Sequence, residues 1–318
     1  MTTALPTTPT TGVGARSKTD VRRRIGEKWF IPYLFVLPHL LVFALMIGWP
    51  FFYGIWISML NADAFSGADA PFIGLDNYAQ LFNSNSTQFG RFWQTLWNTV
   101  IFVIISVPTL IAIALGLAAL LNERFRARNV FRGIYFAPWT LGVSVIGLLW
   151  FWIFFNNGLA TTVVESLGID APIWLSSQPW AWITILIATI WWTIGFNTII
   201  LLAGMQSIAA DLYEAATVDG ANKWQQFRHI TVPSLRPILL LVVTLQVIAS
   251  FNLVGQPQII TNGGPPTAQT TPVLLHLYNV GFRSPFDVGL AAAMAVVVAV
   301  VMVVVSVINF RFFSSERA

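Results

Sequence analysis

Two rows of uncharged polar side chains, set at helical spacing inside long apolar runs, are the groups in this 318-residue chain best suited to binding a solute. Thr189, Thr193 and Asn197 follow one another in steps of four, flanked by Trp191, Trp192 and Phe196. Gln246, Ser250 and Leu253 fall at i, i+4 and i+7, with Asn252 and Gln256 nearby. Amides and hydroxyls beside aromatic faces can hydrogen-bond hydroxyl groups and stack on C–H faces, which suits a neutral polyol. The same residue types also hold helices together in membranes, so spacing alone leaves both readings open.

Catalytic chemistry has little to work with. The chain has no cysteine, which removes disulfides, thiol nucleophiles and thiolate metal sites. No metal-ligand cluster is visible, and no Gly-x-x-x-x-Gly-Lys-[Ser/Thr] loop is present to cradle nucleotide phosphates. Asp63 and Asp69 share a polar stretch without apolar cover, so nothing there would shift a carboxyl toward general-acid work. His276 and Arg283 read as structural or headgroup contacts.

A third feature is mechanical. Glu214-Ala215-Ala216 opens a small-surfaced stretch that ends in Asp219-Gly220-Ala221, within a polar interval between two apolar runs. The spacing predicts a short helix from about Ala209 to Val218, stopped where Gly220 permits a left-handed turn. A second helix would start at Asn222, with Gln225 three residues on as a variant capping box. Trp224, Phe227 and Ile230 then share one face, and Pro233 and Pro237 mark its end. By spacing alone this is also compatible with an amphipathic connector resting on lipid headgroups.

The elements that must position these groups follow from composition. Hydrophobic residues make up 56% of the chain and charged ones only 9%, far more apolar content than a soluble core of this length needs. Six segments reach the roughly 20 residues that a spanning helix requires: Phe30–Leu60, Thr95–Leu121, Gly133–Phe155, Pro179–Gly204, Pro237–Ile260 and Phe286–Phe310. Uninterrupted runs such as Leu290–Val307 do not alternate in polarity, which excludes barrel strands. The expected fold is an all-α integral membrane protein of six transmembrane helices. The first segment, at 31 residues, would reach roughly 46 Å against a hydrocarbon core of about 30 Å, so Pro38 and Pro50 are expected to bend or tilt it.

Charge sets the orientation. Fifteen of the 17 basic residues lie before the first segment, between the second and third, between the fourth and fifth, or after the last; Arg91 and Arg283 are the remaining two. By the positive-inside rule both termini and the Glu214 loop face the cytoplasm. The net charge of +4 is then topological and calls for no nucleic-acid partner. The apolar run after the basic N-terminus is too long for a cleavable signal, so the first span is expected to remain. Residues 1–29 read as a disordered basic cytoplasmic tail, 30–312 as the six-helix domain and 313–318 as a cytoplasmic C-terminal tail. The six segments are read as free of Asp, Glu, Lys and Arg throughout, which argues against an ion-coupled secondary carrier and against an intramembrane enzyme. His39 is the one ionisable group well inside a segment, and without an acidic partner it reads as a helix-to-helix hydrogen bond.

The order of residues in the polar loop adds more. Glu214-Ala-Ala-x-x-Asp-Gly-Ala, continued by Phe227-x-x-Ile230-x-x-Pro233-x-x-x-Pro237, resembles the EAA loop of permease subunits of bacterial binding-protein-dependent ABC importers. Phe72-Ile-Gly-Leu-Asp-Asn-Tyr78, Tyr135-x-x-Pro138-Trp139, Leu202-Ala-Gly-Met-Gln-Ser-Ile208 and Thr261-Asn-Gly-Gly-Pro265 are similar to the carbohydrate branch, which includes the maltose and glycerol-phosphate permeases. The resemblance covers roughly Ile31 to Phe312. One departure is Ala209, where the family commonly has proline, and it loosens the expected start of the first loop helix.

The resemblance implies a non-catalytic subunit in a bacterial cell membrane, paired with a second, similar permease. Glu214, Ala215, Ala216, Asp219, Gly220 and Ala221 would dock in a cytoplasmic ATPase dimer, with ATP and Mg2+ held on that partner and no cofactor in this chain. Thr189, Trp192, Thr193, Asn197, Gln246, Ser250, Asn252 and Leu253 would lie along the path of a sugar. The segments Gly74–Phe82 and Thr261–Ser284 would meet an extracytoplasmic solute-binding protein, the latter as a turn-rich loop. An importer for a charged solute such as glycerol phosphate is the nearer alternative, with its basic residues on the partner chain.

Overall fold

The computed structural model describes residues 30–63, 65, 70–123, 125–263, 269–283 and 286–314. The expected N-terminal tail, the Gly-Pro part of the Thr261 segment, Asp69 and the last four residues lie outside them. Every element named below is helical, and the six candidate crossings agree with the all-α expectation. The chain forms two compact units, Met1–Gly54 and Ile55–Ala318.

Helix α1 (Ile31–Phe43) leads into one π-helical turn, Ala44–Gly48, both in the first unit, and then into α2 (Trp49–Ile57), whose last three residues belong to the second. Pro38 sits inside α1 without interrupting it. The irregularity belongs to Pro50: its ring crowds the carbonyl four residues back, and the widened turn just upstream accommodates it. Apolar side chains such as Phe35 and Met46 are exposed, as lipid contact requires.

In the second unit, α3 (Asp76–Phe82) precedes α4 (Thr87–Asn122), whose start is capped by the Ser86 hydroxyl accepting from the Gln88 amide at 3.2 Å. With 36 residues, α4 extends about 54 Å, so it must project beyond a hydrocarbon layer of about 30 Å. Asn77, fully covered, donates to the carbonyls of Ser58 (3.0 Å) and Leu60 (2.9 Å), and the Tyr78 hydroxyl bonds that of Ser58 at 2.6 Å. These residues of the Phe72–Tyr78 motif therefore close a turn, leaving Leu75 and Phe82 as its exposed apolar surface.

The third crossing is built in pieces: α5 (Arg128–Phe136), a 3-10 turn Ala137–Thr140, α6 (Val143–Phe154) and α7 (Leu159–Ser166). Hydropathy and length select Val143–Ser166 within it. The expected Gly133–Phe155 segment is thus broken at Leu141–Gly142, just after Pro138. All three of α5, the 3-10 turn and α6 pack along α8 (Trp180–Gln206), so the pieces follow one neighbour. Gly195 of α8 is the reason they can: a Cβ there would fall on the Tyr135 carbonyl oxygen.

Helices α9 (Ala210–Val218), α10 (Lys223–Gln226) and α11 (Val232–Ser234) form the loop before the fifth crossing, with a π-helical turn, Phe227–Thr231, between the last two. That crossing is α12 (Arg236–Phe251) and α13 (Gly255–Ile260), separated by non-helical residues 252–254. The core between α4, α8 and α12 uses Ala114, Ala118, Leu201, Leu202, Met205 and Val242, where small residues at i and i+4 of α4 let the backbones approach. At Gly204 a side chain would strike Ile238.

Two expectations need correcting. The Thr261–Ser284 segment is not a turn-rich loop throughout, because Val273–Phe282 forms helix α14, which buries Val273, Leu275, His276 and Val280 and packs on α4 and α15 (Val288–Ser314) through Val273 and Val280. Its ten residues are too few to span, so a length criterion passed over them. Asp287 falls inside the expected sixth segment, but its carboxylate oxygen accepts from the Leu290 amide at 2.9 Å and so caps the mouth of α15. There the negative charge faces the positive helix end instead of lipid.

Candidate functional site

The two polar rows converge. A cavity of about 360 Å3 is lined by Thr189, Trp192 and Thr193 from α8 and by Gln246, Ser250, Asn252 and Leu253 from α12 and the residues after it. Seven of the eight residues named for the path thus share one wall system. Asn197 stands just behind it and donates to Gln246 Oε1 at 3.3 Å.

The sequence reading passed over Phe102, Trp139, Val143, Ala249 and Gly255 as wall residues. Trp139 carried a usable signal, since it closes the Tyr135-x-x-Pro138-Trp139 motif. The 3-10 turn holds its ring flat on Phe196, with centroids 4.7 Å apart and planes at 16°, and tilted against Trp192 at 6.0 Å. Phe102 sits in an apolar run of α4 with nothing local to distinguish it.

Both broken crossings meet at this cavity. The break at Leu141–Gly142 leaves the Leu141 carbonyl to accept from Trp192 Nε1 at 3.1 Å. The break after Phe251 is held by Asn252 Nδ2 donating to the Ile248 carbonyl at 2.8 Å. Gly255 lies on the Val143 side chain, and a Cβ on Gly147 would come within 2.8 Å of Ile259, so α13 and α6 are pressed together beside the cavity. Irregular backbone at membrane depth is tolerated where it lines a cavity, because polar contacts can complete its hydrogen bonds there. Among the described residues, no Asp, Glu, Lys, Arg or His lines the wall.

The residues of the EAA stretch form a different surface. Glu214, Ala215, Asp219 and Gly220 are exposed, and Ala216 and Ala221 are half-covered. Helix α9 starts one residue later than expected, with Ala209 offering no side-chain cap. Gly220 ends it at φ +80°, in the left-handed region that a Cβ would strain. The capping box forms as the spacing predicts: Asn222 Oδ1 accepts from the Gln225 amide at 2.9 Å, and Gln225 Oε1 accepts from the Asn222 amide at 2.8 Å. Gln226 Nε2 donates to Thr217 Oγ1 at 2.9 Å, and the Tyr213 and Thr231 hydroxyls bond at 2.9 Å, fixing the angle between the two halves of the loop. Trp224 stacks on Phe227 yet stays exposed.

Glu214 faces a groove of about 810 Å3 between this loop and the end of α4, where Asn122 and Glu123 lie. Ala216, Asp219, Gly220 and Ala221 line a smaller groove of about 340 Å3 on another face. Among the described residues, the Glu214 carboxylate has no hydrogen-bond or ion-pair partner, whereas Lys223 Nζ reaches Glu123 Oε1 at 3.4 Å. A rigid, small-surfaced helix with an unpaired acid is suited to an external partner.

Comparisons with known proteins agree with this geometry. The family model described as binding-protein-dependent transport system inner membrane component matches residues 111–315. The sulfoquinovosyl glycerol transport system permease protein of Agrobacterium fabrum is 34% identical over 294 residues, covering 92% of each chain. The trehalose/maltose transport system permease protein of Thermococcus litoralis is 34% identical over 268 residues, covering 83% of this chain and 87% of that one. The sn-glycerol-3-phosphate transport system permease protein of Pectobacterium atrosepticum is 31% identical, covering 91% and 96%. A bacterial ABC transporter involved in import of the acidic polysaccharide alginate shares the fold, with a TM-score of 0.75 at 24% identity over 94% of this chain and 99% of that one. The chain belongs to the binding-protein-dependent transport system inner membrane component family, and is a multi-pass, non-catalytic permease subunit of an ATP-driven ABC importer.

Proposed function

We propose that this permease forms one half of a sugar translocation path in a bacterial inner membrane, with both termini and the Glu214 loop on the cytoplasmic side. A second, similar permease forms the other half, a cytoplasmic ATPase dimer holds ATP and Mg2+, and an extracytoplasmic binding protein delivers the sugar. This chain holds no cofactor. The observation that carries the reading is the cavity: hydroxyls and amides from two crossings, aromatic faces and no ionisable side chain, collected where both crossings lose regular structure. The names of the permeases from Agrobacterium and Thermococcus, which refer to sulfoquinovosyl glycerol, a sulfonated sugar derivative, and to trehalose and maltose, support a carbohydrate.

Force enters through the loop. Closure of the ATPase dimer on ATP draws this loop and its counterpart together, tilts α8 and α12, and opens the cavity outward to receive sugar. Hydrolysis then returns it inward. Glu214 supplies the charged contact, Ala215 and Ala216 allow close approach, and Asp219, Gly220 and Ala221 set the turn.

The test is Glu214→Lys in the assembled complex, read as sugar-stimulated ATP hydrolysis. Stimulation is expected to vanish while the spans insert and the subunits still co-purify. Wild-type stimulation in that variant would refute docking through Glu214.

A further inference from the structure

The cavity has a hydrogen-bonding polarity, and one residue outside its wall sets it. Asn197 Nδ2 donates to the Thr193 carbonyl at 2.9 Å, which fixes the orientation of the Asn197 amide. Its remaining N–H points at Gln246 Oε1 at 3.3 Å, so the Gln246 carbonyl oxygen is engaged and its NH2 is turned elsewhere. Gln246 is only 5% exposed, and its Nε2 has no partner among the described residues. The side chain lines the cavity, so that NH2 is a donor held toward whatever the cavity contains.

The other fixed groups have the opposite sense. Thr189 Oγ1 and Thr193 Oγ1 each donate their single proton to a helix carbonyl, Ile185 O and Thr189 O, both at 2.8 Å. Asn252 Nδ2 donates to Ile248 O, leaving its Oδ1 unengaged. Thr189 Oγ1, Thr193 Oγ1 and Asn252 Oδ1 thus offer acceptor oxygens, and the oriented donors are the Gln246 NH2 and the second N–H of Asn252; the Ser250 hydroxyl, 3.4 Å from that of Ser106, and the Gln256 amide can serve either way. A hydroxyl both donates and accepts, and satisfies every one of these groups. A phosphate, sulfonate or carboxylate only accepts: it would leave the three acceptor oxygens unsatisfied and meet no cation on this chain's wall, and an uncompensated buried charge is costly.

Resting on the reading of this cavity as the sugar path, we propose that it selects neutral polyols against anionic solutes, and that Asn197 is the positioning residue that holds the Gln246 NH2 toward the sugar. Asn197 touches no substrate itself. It acts by preventing the Gln246 amide from turning its oxygen inward, which would replace a fixed donor of the wall with a further acceptor.

The test is ATP-dependent uptake by the complete transporter, with its partner permease, ATPase and binding protein, in proteoliposomes. Wild type, Asn197→Leu, Gln246→Leu and the double variant are compared on a panel of neutral mono- and disaccharides and on sn-glycerol 3-phosphate. Wild type is expected to take up a neutral sugar and no sn-glycerol 3-phosphate. Each single variant is expected to lower that uptake roughly 5- to 10-fold, the loss of about one hydrogen bond, and the double variant to fall no further than Gln246→Leu. Monodeoxy analogues of the transported sugar separate positioning from packing. One deoxy position should be penalised in wild type, and that penalty should disappear in both single variants. Additive losses, or a deoxy penalty that persists in Asn197→Leu, would overturn the positioning role. Uptake of sn-glycerol 3-phosphate, or no neutral-sugar uptake at all, would overturn the selection. If ATP still drives uptake in such a result, the reading of the chain as an importer permease stands and the selection alone falls.

Discussion

The coupling loop and the cavity lie at opposite extremes of the same architecture. The loop presents its acid and its small residues outward on a helix of nine residues, braced from behind by a capping box and by the Gln226 and Tyr213 hydrogen bonds. The cavity withdraws its polar groups behind two long helices, so that Thr189, Thr193, Gln246 and Ser250 are each less than 10% exposed. A surface made for a protein partner can leave a charge in water until the partner arrives. A site made for a small neutral solute must instead pre-satisfy or orient each buried polar atom, because nothing else in the membrane will do so.

The sharpest way to break this contrast is the Glu214→Lys exchange, which should remove coupling outright and leave the cavity unchanged. If that variant instead lost binding or transport of sugar with its ATPase stimulation intact, loop and cavity would not be separable parts. Next in size is Gly195→Ala. The added Cβ falls on the Tyr135 carbonyl, so α5 and the Trp139 turn must move away from α8. Backbone offers no rotamer escape, and a loss of about 3 kcal/mol is expected, seen as a lower melting temperature of the purified complex. Gly90→Ala on α4 is the matched control. A Cβ there meets nothing within 4 Å, so it should be neutral or slightly stabilising.

These residues also mark how far sequence could carry the argument. The loop was legible because its determinants are local: Asp219-Gly220 stops one helix, Asn222 and Gln225 start another, and their order in the chain is the structure. The polar rows were legible through the helical period, since Thr189 and Thr193 must share a face. The breaks at Leu141–Gly142 and after Phe251 were not, because hydropathy reads through an uncharged interruption and only packing of Gly255 on Val143 and Gly147 on Ile259 fixes where the helix yields. Helix α14 escaped because length was the criterion and it is short. Asn197 was placed on the path by its spacing, yet it stands one layer back, bonded to Gln246, and a period cannot tell a lining residue from the one behind it.

Smaller in effect is a test on the side where no partner charge is needed. His276 lies in α14, outside the six crossings, and its buried Nε2 has no hydrogen-bond partner among the described residues. Burial first, and the positive charge of Arg91 second, lower its pKa from 6.5 to about 4. The unfolded chain therefore takes up this proton before the folded one. Stability is intact above about pH 6.5, declines between pH 6.5 and 4, and levels off below. The loss should reach roughly 2 kcal/mol at pH 5, read as a falling melting temperature that His276→Gln makes flatter across that window. Equal slopes in the two proteins would show that the site admits water or an acid neighbour on protonation.

The least effect is expected at the exposed ion pair between loop and crossing. Lys223 and Glu123 approach to 3.4 Å, but their side chains are 86% and 69% exposed, so water and salt screen most of the attraction. Lys223→Ala should cost about 0.5 kcal/mol or less, and leave sugar-stimulated ATP hydrolysis within about twofold of wild type. The prediction separates two ways the loop could transmit force. If α9 moves as a braced unit with α10, the contact to α4 at Glu123 is incidental and its removal is silent. If stimulation instead fell as far as in Glu214→Lys, the pair would be a latch between the loop and α4, and the force path would run up the second crossing as well as through α8 and α12.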